Sequence, residues 1–268
     1  IHTGMQAYKT RWFWLVFLCL STHALLDALT VYGTQLMWPL TEHPFAISNM
    51  FIIDPLYTLL LLVGVIGTLI PKITAPIAYK ITAITLTVST LYLCCSLILK
   101  VVIDDKVNTA LQNKDITVNE YISTPAPFTT LLWRVVVMSD GKYYEGYASV
   151  FDTPNEVTLN AYQTTPSLLN EIKNEWGVKR LQWFTKGFYS VREQQDKVIL
   201  SDLRMGMECA YVFNFVVGQK DGSAISVGNF EKISQRPNLN NLPKIWDRIW
   251  HPDTVLASPL AKNNCVEQ

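Results

Sequence analysis

Formal charge is almost missing from the first third of the chain: between Trp12 and Leu99 only Asp27, Glu42, Asp54, Lys72 and Lys80 carry any. So long a stretch with so few charges excludes an evenly solvated globular surface there. Net charge is missing too, 22 Lys and Arg balancing 22 Asp and Glu. Without a basic footprint, nucleic acid is not an expected partner. No CxxC occurs among the five cysteines, which argues against zinc ribbons and thioredoxin-like redox chemistry. Cys19, Cys94 and Cys95 lie in apolar runs, where a thiol behaves as a small hydrophobe. Only Cys209 and Cys265 remain for a disulfide, and nothing requires them to pair. A serine-hydrolase elbow, a P-loop and HExxH are all absent.

What the charge-poor region does contain is three apolar runs: Trp12 to Val31, interrupted by His23 and Asp27, then Phe51 to Ile70, then Ile81 to Leu99. Each approaches the roughly 20 residues that cross a bilayer core. Three in succession with short connections favour membrane spans over buried helices of a soluble protein. The first lacks the small-residue cleavage site of a signal peptide and reads as a retained helix. Lys and Arg in short loops set orientation. Lys9 and Arg11 precede the first run, the 32–48 loop has neither residue type, and Lys72 and Lys80 sit between the second and third. Residues 1–11 and 71–80 are therefore expected in the cytoplasm, and the 32–48 loop and everything after Lys100 outside.

Residues 1–100 thus form a helical membrane domain with about three spans, and residues 101–268 a soluble domain. KVVIDDKVNTALQNKDITVNEY continues from the third run as a helical stalk. LLWRVVVM, the turn SDGK and YYEGYASVF predict a hairpin of β-branched and aromatic residues. SLLNEIKNEW predicts a helix capped by Thr165 or Ser167 and stopped at Gly177. KVILSDLRMG, CAYVFNFVVG and AISVGNF predict three more strands, with a turn at QKDGS before the last. LPKIWDRIW predicts a short closing helix with aromatics on one face. The order implies an external α+β domain on a mainly antiparallel sheet.

Chemistry concentrates on the polar residues inside the apolar runs. An Asp in mid-span costs roughly 2.5 to 3.5 kcal/mol on insertion scales, so its presence needs a reason. His23 and Asp27, four apart, share one helix face, and Thr30 and Thr34 extend the stripe. Asp54 opens the second run on the side where the first ends, so the three groups converge near the outer membrane surface. An imidazole and two carboxylates are a ligand set for a catalytic divalent ion, zinc foremost, which turns bound water into a nucleophile. His23 and Asp27 are then the catalytic centre, with Asp54 the third metal ligand. Plainer roles compete. The His23–Asp27 pair also suits helix-to-helix hydrogen bonding, and Asp54 before Pro55 suits a helix N-cap. Glu42 and His43 are further loop candidates, with simple solvation the commoner use. Gly64 and Gly67 read as packing residues, and Asp202 with Arg204 as an ion pair at a strand end.

At HALLDALTVYGTQLMWPL and NMFIIDPLYTLLLLVG the chain resembles the YdjM-type family of bacterial membrane-bound, predicted metal-dependent hydrolases. The likeness extends to TPAPFTTLLWRVVV, YYEGYASVFD and LSDLRMG. The resemblance implies a multi-pass inner-membrane protein with a divalent-metal hydrolase site built from His and Asp. A more distant likeness, to the zinc-dependent phospholipase C and single-strand nuclease group, carries HxxxD onto His23 and Asp27 as metal ligands. Asp54 falls in the family's DPLYT block. The family's upstream HRGxTHS block has no equivalent before Trp12, and His2 is a poor substitute. Since Ile1 is not an initiator residue, such a block is expected in a preceding segment. The function expected is hydrolysis of a phospholipid or other phosphodiester at the bilayer. The alternatives are a non-catalytic membrane-anchored binding or envelope-maintenance protein and, third, a proton-coupled transporter using the His and Asp.

Overall fold

The computed structural model describes residues 8–208, 210–222, 224–233 and 242–256. His2, Cys209 and Cys265 lie outside them, as does any pairing of those two thiols. The chain divides into two units, 1–97 and 98–268.

Three helices make up the first unit: α1 (Lys9–Leu29), α2 (Pro55–Leu69) and the first part of α3 (Ala75–Asn113). α1 and α3 are long and apolar enough to cross a membrane, and α2 is shorter. At 1.5 Å per residue the 15 residues of α2 span about 22 Å, short of the ~30 Å hydrocarbon core. The expected run of about three spans is thus corrected to two helices of spanning length. The cause is local. Pro55 fixes the first turn of α2 with Asp54 as its cap, and Pro71 follows immediately after the last residues.

α1 also ends earlier than expected, at Leu29, so Thr30 and Thr34 do not extend a helical stripe. Thr30 instead turns back to donate through its hydroxyl to the Asp27 carbonyl (2.8 Å), and Thr34 bridges to Phe45. The last carbonyls of a helix have no partner within it. Here the returning loop supplies them: the Ile47 N–H donates to Ala28, and those of Asn49 and Met50 to Leu29. α2 and α3 approach closely at glycine. A Cβ on Gly64 would come within 2.5 Å of Thr85 Oγ1, and one on Gly67 within 3.1 Å of Ile81. Both glycines therefore serve packing.

The second unit starts inside α3, which runs unbroken to Asn113 and not through the whole expected stalk. It is no bare stalk. Ile103, Val107, Ala110 and Leu111 are buried against Trp133, Val135, Val137 and Ala148 of the first sheet. Asp115 takes a left-handed conformation, the Ile116 N–H returns to the Leu111 carbonyl, and Ile116 packs on the same core, so the helix is closed by a Schellman turn.

Instead of one sheet there are two, both wholly antiparallel. The first is a meander of β1 (Glu120–Pro125), β2 (Leu132–Ser139), β3 (Lys142–Ser149) and β4 (Thr158–Gln163). The second has β5 (Tyr189–Gln194), β6 (Lys197–Asp202), β7 (Asn214–Asp221) and β8 (Ala224–Val227) in order, with β9 (Lys232–Ile233) also on β7. The β2–β3 hairpin falls where the sequence places it, with Gly141 in the left-handed region at the turn.

The helix expected at SLLNEIKNEW is not formed. A 3-10 turn at Pro166–Leu169 and further turns occupy it, and α4 (Trp176–Thr185) begins near the expected stop. Leu169 and Ile172 bury into the core of the second sheet, while the Glu171 carboxylate accepts from the Ile225 N–H. Gly177 belongs in the first turn of α4 because a Cβ there would lie 2.5 Å from the Phe230 ring. The closing helix is as expected: α5 (Leu242–Trp250) buries Ile245, Arg248 and Ile249 and exposes Trp246 and Trp250.

Candidate functional site

His23 and Asp27 project from the last two turns of α1 and meet: Nε2 lies 3.5 Å from Oδ2. Both remain open, the side chains being 76% and 47% exposed. Asp54 is in the opposite condition, buried at 3% exposure with both oxygens in use. Oδ1 accepts the Tyr57 N–H (2.9 Å), which caps α2, and Oδ2 accepts the Tyr92 hydroxyl from α3 (2.7 Å). One carboxylate thus fixes the start of one helix and ties it to another. Asn49 does similar work, donating from Nδ2 to Ser96 Oγ (2.7 Å) while fully buried. Glu42 and His43 stay on the exposed loop, where the Glu42 carbonyl accepts from Gln35 and the His43 ring packs edge-on against Phe45.

A catalytic zinc takes three protein ligands and a water. The structure brings two of the three expected ligands together, His23 and Asp27. Among the described residues no group of three or more His, Cys, Asp and Glu is placed to hold a metal ion. The residues described therefore do not by themselves fit a complete catalytic metal site, and no chemical step is built on one.

The second unit holds a polar cluster that the sequence reading missed. Arg134 on β2 and Glu145 on β3 form a buried bidentate pair, Nε to Oε1 at 3.1 Å and Nη2 to Oε2 at 2.8 Å. Arg134 also donates to the Leu203 carbonyl (2.7 Å), and the Tyr211 hydroxyl donates to Glu145 Oε2 (2.6 Å). Tyr143 donates to Glu208, which also faces Arg192 at 3.6 Å. The network joins the first sheet to the loop after β6. Burial lowers the guanidinium's tendency to hold its proton, but Glu145 beside it more than reverses this and raises the Arg134 pKa. Burial, then the Glu145 and Glu208 charges, raise the hydroxyls of Tyr143, Tyr162 and Tyr211, and burial with Glu145 raises that of Tyr147. Two further ion pairs are equally sealed: Arg248 on Asp152 (2.7 Å) and Arg204 on Asp202 (2.6 Å), the latter at the strand end where the sequence suggested it. The available signal was a single charge inside an apolar strand, Arg in LLWRVVVM and Glu in YYEGY. Arg134, Glu145, Tyr211 and the two sealed pairs are satisfied by protein, the pattern of a structural cluster, while the Tyr162 hydroxyl and Arg192 Nε beside them are buried without a hydrogen-bond partner.

The membrane unit can be placed among known proteins. Residues 2–103 match the YdjM inner membrane protein family. The YdjM match ends within α3, so TPAPFTTLLWRVVV, YYEGYASVFD and LSDLRMG lie beyond it. No curated protein and no solved structure matches the chain. The YdjM family and two helices of spanning length together support a membrane location.

Two outcomes follow from this geometry. Asp54→Ala removes both a cap and a helix tie. It is expected to destabilise the membrane unit by about 1–3 kcal/mol, with Asp54→Asn milder because it can still cap. Thermal unfolding in detergent followed by size-exclusion fluorescence checks this, and equal midpoints for all three proteins would contradict it. In the second unit, Tyr143, Tyr147, Tyr162 and Tyr211, with raised pKa, keep their protons when folded. As pH rises through about 10 the unfolded chain releases protons that the folded one retains, so the contribution of these tyrosines to stability is constant below that pH and falls above it. Denaturant midpoints at pH 8, 10 and 11 measure the effect, and a midpoint unchanged to pH 11 would contradict it.

Proposed function

We propose that the chain is a membrane-anchored, non-catalytic protein that holds a two-sheet binding domain at the outer face of the bacterial inner membrane, in an envelope-maintenance role. The observation that carries this reading is α3, a single helix whose first part is a spanning apolar run and whose last part lies in the core of the domain. The membrane unit's buried polar groups support it, because Asp54, Asn49 and Ser96 bind one another's helices and loops rather than an open cavity.

In this reading the chain passes the bilayer more than once. α2 returns it, the bilayer thinning locally around its 15 helical residues. Residues 32–48 and the domain after Lys100 then lie outside.

A second reading is favoured by one specific observation, the 3.5 Å His23–Asp27 pair standing open on an apolar helix. Under it the protein is a metal-dependent hydrolase acting on a phospholipid or other phosphodiester, with a divalent ion, zinc foremost, held by His23, Asp27 and Asp54. When bound, the ion would supply an activated water. Its ligand set would need Asp54 to share an oxygen already engaged by Tyr57 or Tyr92, or donors outside the described residues.

Metal content decides between the two. Detergent-purified full-length protein, with His23→Ala and Asp27→Asn, is analysed by inductively coupled plasma mass spectrometry after exposure to zinc and desalting. The anchor reading predicts less than about 0.1 equivalent in all three. Stoichiometric zinc in the parent that falls at least tenfold in both variants would replace it with the hydrolase.

A further inference from the structure

We propose that the end of the second unit bearing α5 is a docking surface for the bilayer interface, with Trp246, Trp250 and Phe151 seated at the level of the lipid headgroups. This rests on the anchor reading above and assigns that domain a second, non-covalent hold on the membrane.

Ile98 and Leu99 close the spanning run, and the Lys100 ammonium that follows donates to the Ser123 carbonyl (2.9 Å) and hydroxyl (2.6 Å) and lies over the Trp133 ring. Ser123 is two residues from the end of β1, and Trp133 pairs with its last residue, Pro125. The chain therefore enters the unit at the Pro125–Leu132–Ser149 end of the first sheet. Because the residues just before Lys100 belong to an apolar helix of spanning length, this end of the unit is tethered within a few residues of the lipid.

α5 packs at that same end. Ile245 and Ile249 are buried with Ala126, Leu132 and Tyr147, Ser149 Oγ donates to the Ile249 carbonyl (2.8 Å), and Arg248 is locked on Asp152. The helix is thus fixed by its inner face. Its outer face exposes Lys244 and Asp247 and two indoles, Trp246 at 53% and Trp250 at 58% exposure, four residues apart and so on one side. Phe151, 57% exposed in the loop after β3, stacks on Trp250 at 4.7 Å and enlarges the patch. Three large exposed rings in one place are unusual for a surface bathed only in water. Trp is the residue most at home at a membrane interface, its ring in the acyl boundary and its N–H among headgroups. A lipid surface is the occupant that both the tether and the ring chemistry select.

The test uses the full chain in nanodiscs of phosphatidylethanolamine and phosphatidylglycerol, with p-benzoylphenylalanine placed one position at a time. Trp246 and Trp250 are replaced on the patch, Leu91 in the apolar run, and Asp140 at the β2–β3 turn, the opposite end of the first sheet. All are exposed positions, so folding is preserved, and the monodisperse peak is checked for each. Irradiation is expected to add the mass of one phospholipid at 246, 250 and 91, with at least fivefold lower yield at 140. Adducts at 91 with yields at 246 and 250 no higher than at 140 would overturn the docking surface and leave the anchor intact. No adduct at 91 would overturn the anchor itself, and the docking surface with it. Covalent dimers from 246 or 250 without lipid adducts would assign the patch to a second copy and also overturn the proposal.

Discussion

A peptide group in lipid has no water to bond with, so each must find its partner within the chain. Much of the membrane unit follows from that constraint. α1 cannot simply stop at Leu29, and the loop that returns from Ile47 to Met50 gives its last carbonyls their donors. α2 cannot simply start at Pro55, and Asp54 accepts the N–H of Tyr57. Pro55 itself lacks an N–H and so leaves one fewer to satisfy. α3 solves the problem differently, by not ending near the lipid at all. Its intrahelical ladder continues to Asn113, where water and a Schellman turn are available.

The same constraint separates the two candidate roles of acidic residues here. A carboxylate among apolar residues is expensive unless something donates to it. Asp54 receives two donors, one from backbone and one from Tyr92, and becomes part of the packing. Asp27 is not so enclosed, and its neighbour His23 stands more open still. In the second unit the same chemistry reaches a closed form, with Arg134, Glu145 and Tyr211 satisfying one another inside a core. Burying such a pair brings little net stability, because desolvation offsets most of the attraction. Its effect is on geometry: Arg134 reaches Leu203 and Glu145 receives Tyr211, which fixes the loop after β6 against the first sheet.

What could be read from sequence follows from how local each feature is. The apolar runs, the β2–β3 hairpin with Gly141 at its turn, the Asp54–Pro55 cap and α5 depend on neighbouring residues, and all were legible. The length of α2 was not read correctly, because hydropathy counts Phe51 to Ile70 alike whether or not they are helical. The packing of the stalk was not legible, since nothing in DKVNTALQN announces that Val107 and Ala110 are buried against Trp133 and Val135. SLLNEIKNEW has helical periodicity, yet Leu169 and Ile172 fill the second core from a turn. β4 and β5 went unrecognised because their alternation is weak and partners across the sheet decide them. Of the expected ligands, His23 and Asp27 were legible as an i, i+4 pair, whereas the donors that occupy Asp54 include Tyr92, 38 residues away.

The hold of the membrane unit on the domain depends most on α3 being one continuous helix from the apolar run into the domain core. Hydrogen exchange of the full chain in nanodiscs, resolved by mass spectrometry over residues 75–121, measures this directly. Uninterrupted slow exchange from about Ile81 through Leu111 is the expected result, lipid protecting the first part and the Trp133 core the second. A fast-exchanging break between Leu97 and Val102 would contradict it, leaving a domain on a loose tether rather than one carried by its membrane helix.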